Sequence, residues 1–141
     1  EGFLNSLTNS KQLTSLSLKH IILTSADLIS MVGYLENNIL ESLDISGSIL
    51  TNADMEMISK LLEHLQIKEL VLHNIIIDQT YDMSKFLVNT KHLRKLSMAS
   101  DNAPQIDQFM RSLGSNRSIN SFELFCDGDY TNLQLDPLKL N

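Results

Sequence analysis

One phrase, Leu-x-x-Leu-x-Leu with occasional apolar replacements, returns five times along the 141 residues of this chain. It stands at Leu13, Leu16, Leu18, then at Leu40, Leu43, Ile45 and at Ile67, Leu70, Leu72. It returns at Leu93, Leu96, Met98 and at Ile119, Phe122, Leu124. The first residues are separated by 27, 27, 26 and 26 positions. A fixed period in the twenties marks a solenoid, stacked from units that cannot bury their apolar faces alone. Such chains present long surfaces to other macromolecules.

Inside each phrase the apolar residues alternate with period two, as a strand with one buried face requires. The intervening Ser15, Ser17 and Lys19 then point the other way. Downstream, apolar residues fall three to four apart, as an amphipathic helix needs. The first such stretch offers Leu28, Val32 and Leu35, and the second Met55, Ile58, Leu62 and Leu65. Met83, Phe86 and Leu87 follow, then Ile106, Phe109, Met110 and Leu113. Ser25, Asn52 and Thr80 are placed to cap these helices. Pro104 suits a first helical turn, where its missing N–H is not needed.

The phrases resemble leucine-rich repeats over nearly the whole chain. A Leu-Thr step precedes the first two helices, at Leu23-Thr24 and Leu50-Thr51. With units of this length, the pattern is similar to the ribonuclease-inhibitor-like and F-box-type intracellular repeats. The resemblance implies an α/β fold of about five repeats, a curved right-handed β-α superhelix. Its parallel sheet would line the concave face and its helices the convex face. One site departs from the family pattern. Where an asparagine or cysteine normally satisfies turn backbone, this chain has Ile21, Ser48, Ile75, Asp101 and Asp127. Isoleucine has no polar atom for that task.

The organisation expected is a single leucine-rich-repeat domain over 1–141. Residues 1–12 read as the end of a preceding helix, because Leu7 precedes Leu13 by six, as Leu113 precedes Ile119. The repeats then run 13–39, 40–66, 67–92 and 93–118, with the last strand and a C-terminal cap over 119–141. The chain accordingly reads as a fragment of a longer protein, open at its first unit and able to self-associate there.

Chemistry is sparse. Seventeen acidic against eleven basic residues give a net charge of −6, which speaks against nucleic acid. Lys91-His92-Leu93-Arg94-Lys95 is a short basic run that reads as a solvated turn between helix and strand. The single cysteine, Cys126, excludes a disulfide framework and suits a reducing, intracellular and cytoplasmic setting. No apolar run approaches the ~20 residues of a membrane span, so no membrane partner is expected. His20, His64, His73 and His92 show no metal-ligand spacing. Asp101, Asp127 and Asp129 read as an acidic rim rather than a cation site. No catalytic residues, cofactor or metal are expected.

What remains is the exposed strand face. Its columns read Ser15, Ser42, Glu69, Lys95, Ser121, then Ser17, Asp44, Val71, Ser97, Glu123, then Lys19, Ser46, His73, Ala99, Phe125. Against a serine background, Val71, His73 and Phe125 offer apolar or aromatic anchors. Asp44, Glu69 and Glu123 make the face locally acidic, and Lys19 and Lys95 complete the candidate protein-binding set. The expected function is a non-catalytic protein–protein interaction module, the recognition part of a larger intracellular sensor, adaptor or effector. The alternatives are a catalytic regulator such as a GTPase activator, using Arg94, Arg111 or Arg117, and a purely structural or dimerising segment.

Overall fold

The computed structural model describes residues 12–36, 38–77, 81–100, 103–126 and 132–135. Residues 1–11, Thr80, Asp101, Asp127 and Asp129 lie outside them, and with them the candidate preceding helix, one candidate cap and the acidic rim.

The described chain is α/β with a mostly parallel sheet. In order it forms β1 (Ser15–Ser17), α1 (Ser25–Leu35), β2 (Ser42–Asp44), β3 (Ile49–Leu50) and α2 (Asn52–Leu65). Then come β4 (Glu69–Leu72), β5 (Ile76–Ile77), α3 (Met83–Asn89) and β6 (Lys95–Ser100). The last elements are α4 (Ala103–Leu113), β7 (Ser121–Cys126) and β8 (Asn132–Leu135). A six-stranded sheet has the order β1-β2-β4-β6-β7-β8, and β3 pairs with β5 in a small ribbon.

Five strands run parallel. Ser15 lies against Ser42, Ser42 against Glu69, Glu69 against Lys95, and Lys95 against Ser121. These pairings carry the same offsets as the repeated phrase, so each Leu-x-Leu alternation stacks on the next. β8 adds antiparallel to β7, with Phe125 opposite Asn132. Its edge place is compatible with Pro137 shortly beyond it, since proline cannot donate to an inner ladder.

The phrase leucines form the core. Leu43, Leu70, Leu72, Leu96 and Phe122 are buried from the strands, Ile45 from just after β2, and Leu28, Met55, Ile58, Phe86 and Leu113 from the helices. Each such side chain contributes roughly 1.5–3 kcal/mol on burial. Phe109 of α4 stacks on Phe122 of β7 with centroids 5.1 Å apart. Several helix positions differ from the periodicity, Ile106 and Met110 of α4 being only partly buried. Met31 and Leu61 are fully buried, while Val32 and Leu65 are only partly so. Met31 and Leu61 each stand three positions after a buried residue, Leu28 and Ile58, and so share its helix face.

The expected caps are corrected by one residue, to Thr24 and Thr51 in place of Ser25 and Asn52. Thr51 Oγ1 accepts from Asp54 N at 3.2 Å, and Asp54 Oδ2 accepts from Thr51 N at 2.8 Å. Thr24 and Asp27 make the same reciprocal box. The aspartate three residues on completes the motif. Ser25, freed from capping, donates to Asp54 Oδ1 at 2.7 Å and ties α1 to α2. α3 is capped by Asp82, which accepts from Ser84 N at 2.9 Å. Pro104 stands in the first turn of α4.

Turns after β1, β2 and β4 require a left-handed residue. His20, Gly47 and Asn74 supply it, with φ of 59°, 80° and 52°. Glycine, asparagine and histidine are among the residues that enter this region most readily. One residue on, Ser48 donates its hydroxyl to the Ile21 carbonyl at 3.2 Å. At this one rung the side chain does the turn-satisfying work that Ile21 cannot do. Glu63 reaches from α2 to accept from the Lys91 and His92 backbone N–H groups.

Candidate interaction surface on the open sheet face

The register sets equivalent side chains of successive phrases next to one another on the face opposite the core. One column is Ser15, Ser42, Glu69, Lys95 and Ser121, and the next is Ser17, Asp44, Val71, Ser97 and Glu123. The third column is split. Ala99 and Phe125 lie within β6 and β7, but Lys19, Ser46 and His73 fall in the turns after β1, β2 and β4. The backbone keeps them adjacent, since His20 N donates to Ser46 O at 2.8 Å and Gly47 N to His73 O at 2.9 Å.

Six of the eight candidate residues join one polar row, and Phe125 packs against it. Lys19 Nζ lies 3.3 Å from Asp44 Oδ2. Asp44 Oδ1 accepts from Ser46 N at 3.0 Å and from Ser46 Oγ at 2.6 Å. Ser46 Oγ in turn accepts from His73 N at 3.0 Å. His73 Nε2 and Ser97 Oγ are 2.6 Å apart, and Ser97 Oγ donates to Glu123 Oε2 at 3.5 Å. Glu123 then faces Lys95 at 3.7 Å, and Lys95 faces Glu69 at 3.5 Å. The imidazole meets Phe125 edge-on, centroids 5.0 Å apart and planes at 68°. Val71, half-buried, lies between Asp44 and Ser97 in the sheet.

Each of the carboxylates expected to make the face acidic, Asp44, Glu69 and Glu123, faces a lysine, with Lys95 shared between the two glutamates. Such half-exposed pairs contribute only ~0–1 kcal/mol each to stability, and their effect is to orient the side chains. Burial disfavours the ionised Asp44 carboxylate, but hydrogen bonds from Ser46 and the Lys19 ammonium outweigh it. The group is held below the ordinary carboxylate value.

Two hubs escaped the sequence reading, which took the serines as an exposed background. Ser46 and Ser97 are 5% and 3% exposed, and both link residues of the row. A signal for Ser46 was present in Asp44-Ile45-Ser46. An aspartate or asparagine two residues before a serine favours a turn closed by its side chain. Asp82-x-Ser84 and Asn116-x-Ser118 close in the same way.

The row lacks the order of contacts of a hydrolytic triad. In a hydrolytic Ser-His-acid site the acid orients the imidazole, which contacts the hydroxyl. Here Glu123 touches the Ser97 hydroxyl instead, and Ser97 is buried. Of the three arginines, Arg94 donates to the Lys91 and Ser118 carbonyls and Arg111 pairs with Asp107 at 2.9 Å. Among the described residues, no group of three or more His, Cys, Asp or Glu is placed to hold a metal ion. No helix among them is long and apolar enough to cross a membrane. A second surface runs along the β3–β5 ribbon, where Ile22, Ile49 and Ile76 are 89%, 72% and 63% exposed.

Comparison of the chain with family models, curated proteins and solved structures finds no match.

Proposed function

We propose that this chain is a leucine-rich-repeat-like solenoid segment and a non-catalytic protein–protein recognition module. It would serve as the recognition or regulatory part of an intracellular, cytoplasmic sensor, adaptor or effector. The repeat reading is supported by a strand register that advances in step with the phrase, from Ser15 to Ser42, Glu69, Lys95 and Ser121. The functional reading rests on one observation. A connected row of hydrogen bonds and ion pairs holds half-exposed His73 at its middle, with Phe125 against the imidazole and Val71 beside it. Aromatic anchors within an oriented polar surround are what interface hot spots use. The row holds its side chains before a partner arrives, which lowers the ordering cost of binding.

The test is affinity capture from cell lysate with the wild-type chain and a His73→Glu/Phe125→Glu variant that melts normally. A partner held by the first and lost by the second supports sheet-face recognition. A partner retained by both moves recognition elsewhere on the molecule.

A further inference from the structure

The basic run before β6 does not act as one patch. Leu93 is buried in the core, and Lys95 turns onto the open sheet face, where Glu69 and Glu123 neutralise it. Lys91 and Arg94 remain, and the fold adds a third cation from the next turn of the chain. Arg117 follows Lys91 at the same offset that pairs Lys95 with Ser121 in the β6–β7 register. Together with Thr90, Asn116 and Ser118 the three cations line a groove of about 640 Å³. Neither aspartate nor glutamate lines it, and exposed Val88 forms part of its wall. Elsewhere Lys19, Lys68, Lys95 and Arg111 each lie against a carboxylate. Among the described residues, no such ion pair involves Lys91, Arg94 or Arg117.

The groove is also built. Arg94 Nη1 donates to the Lys91 carbonyl at 3.1 Å and the Ser118 carbonyl at 3.4 Å, bridging the two loops. Asn116 Nδ2 donates to the Leu87 carbonyl at 2.8 Å, and Ser118 Oγ to the Thr90 carbonyl at 2.7 Å. These bonds hold the loops that carry Lys91 and Arg117, whose own side chains stay exposed.

We propose that this groove binds an acidic peptide segment of a protein partner, with an apolar side chain of that segment against Val88. Charge complementarity selects the sign of the ligand. The groove extends over two loops and an apolar wall, more than a lone inorganic anion can use. Single-stranded nucleic acid would want aromatic side chains to stack its bases, and none lines the groove. A chain of net charge −6 also repels a long polyanion. This site shares no residue with the open sheet face and stands independently of the recognition proposed there.

The probe is a short fluorescein-labelled peptide of aspartate and glutamate with one central leucine, titrated with the full chain by anisotropy. Saturable binding is expected, weakening as salt is added and absent for an asparagine/glutamine version of the peptide. Lys91→Glu/Arg117→Glu is expected to weaken it roughly tenfold or more. Lys60→Glu/Lys85→Glu, with the same change in net charge, should leave it within about twofold, since those residues lie outside the groove. His73→Glu/Phe125→Glu should also leave it unchanged, which separates this site from the sheet face. If the glutamate variant melts early, Lys91→Gln/Arg117→Gln replaces it. No saturable binding, or equal loss in both lysine-containing glutamate variants, overturns the proposal. So does a single-stranded oligonucleotide that displaces the peptide and binds more tightly.

Discussion

The first three phrases and the last two handle the end of their strands differently. After β1, β2 and β4 the chain stops at a left-handed residue, His20, Gly47 or Asn74, and places an exposed isoleucine two residues on. The equivalent positions further along are Ser100 and Cys126, and there the strands continue to six residues. A serine entering the left-handed region would meet the steric penalty of an L side chain without the local compensation asparagine has. One site, read once in each phrase, thus decides whether the sheet is narrow or wide. The wide end is where Phe125 appears, and the His73–Phe125 contact joins the two regions.

The largest expected effect lies at the wide end. Phe122→Ala removes a fully buried ring that stacks on Phe109, and should cost about 3–5 kcal/mol in urea unfolding. A loss below ~1 kcal/mol would mean that β7 is not seated on the core as described.

At the narrow end the matching test is Asp54. Asp54→Ala removes the Thr51 box and the Ser25 bond together, and should cost about 2 kcal/mol. Asp27→Ala should cost less, because among the described residues no bond from a neighbouring helix is added to its capping box as Ser25 adds one to Asp54. The pH dependence sharpens this contrast. Burial opposes ionisation of Asp54, but hydrogen bonds from Thr51 and Ser25 outweigh it and hold the carboxyl below its ordinary value of 3.8. The unfolded chain binds the proton more tightly there. The stabilisation is therefore present above the ordinary value and is lost as pH falls through the native one. Urea midpoints measured down the acid limb should fall less steeply for Asp54→Asn than for wild type.

A smaller effect is expected at the turn itself. Gly47→Ala forces a side chain into a φ of 80° and into the His20 imidazole. The cost should be about 1–2 kcal/mol. Adding His20→Ala should restore only the steric part. Asn74→Gly should change the urea midpoint little, since both residues accept the left-handed region. A neutral Gly47→Ala would show that the turn is not what ends β2.

The strand columns are legible in the sequence because period two and a constant offset together decide which residues become neighbours. Lys95 beside Glu69 follows from that arithmetic alone, whereas its contact with Glu123, one column over, depends on rotamers. The caps are misplaced by one residue because Thr24 and Ser25, and Thr51 and Asn52, are all competent caps. Only the reciprocal aspartate at the third helical position distinguishes them. The burial of Ser46 and Ser97 is harder to foresee. It depends on the partner one strand away and on rotamers, which a linear pattern does not carry. The basic groove was hidden for a related reason. Its third cation comes from a separate loop, while Lys95 of the apparent cluster leaves for the other face.

Sheet-face recognition is tested most directly by placing a photoreactive benzoylphenylalanine at Val71, with the same group at Glu56 on the helical side as the comparison. After irradiation in lysate, the Val71 chain should crosslink to a discrete protein that His73→Glu/Phe125→Glu abolishes, and the Glu56 chain should not capture that protein. Crosslinking from Glu56 alone, or from Val71 undiminished by the double substitution, would contradict recognition through this face.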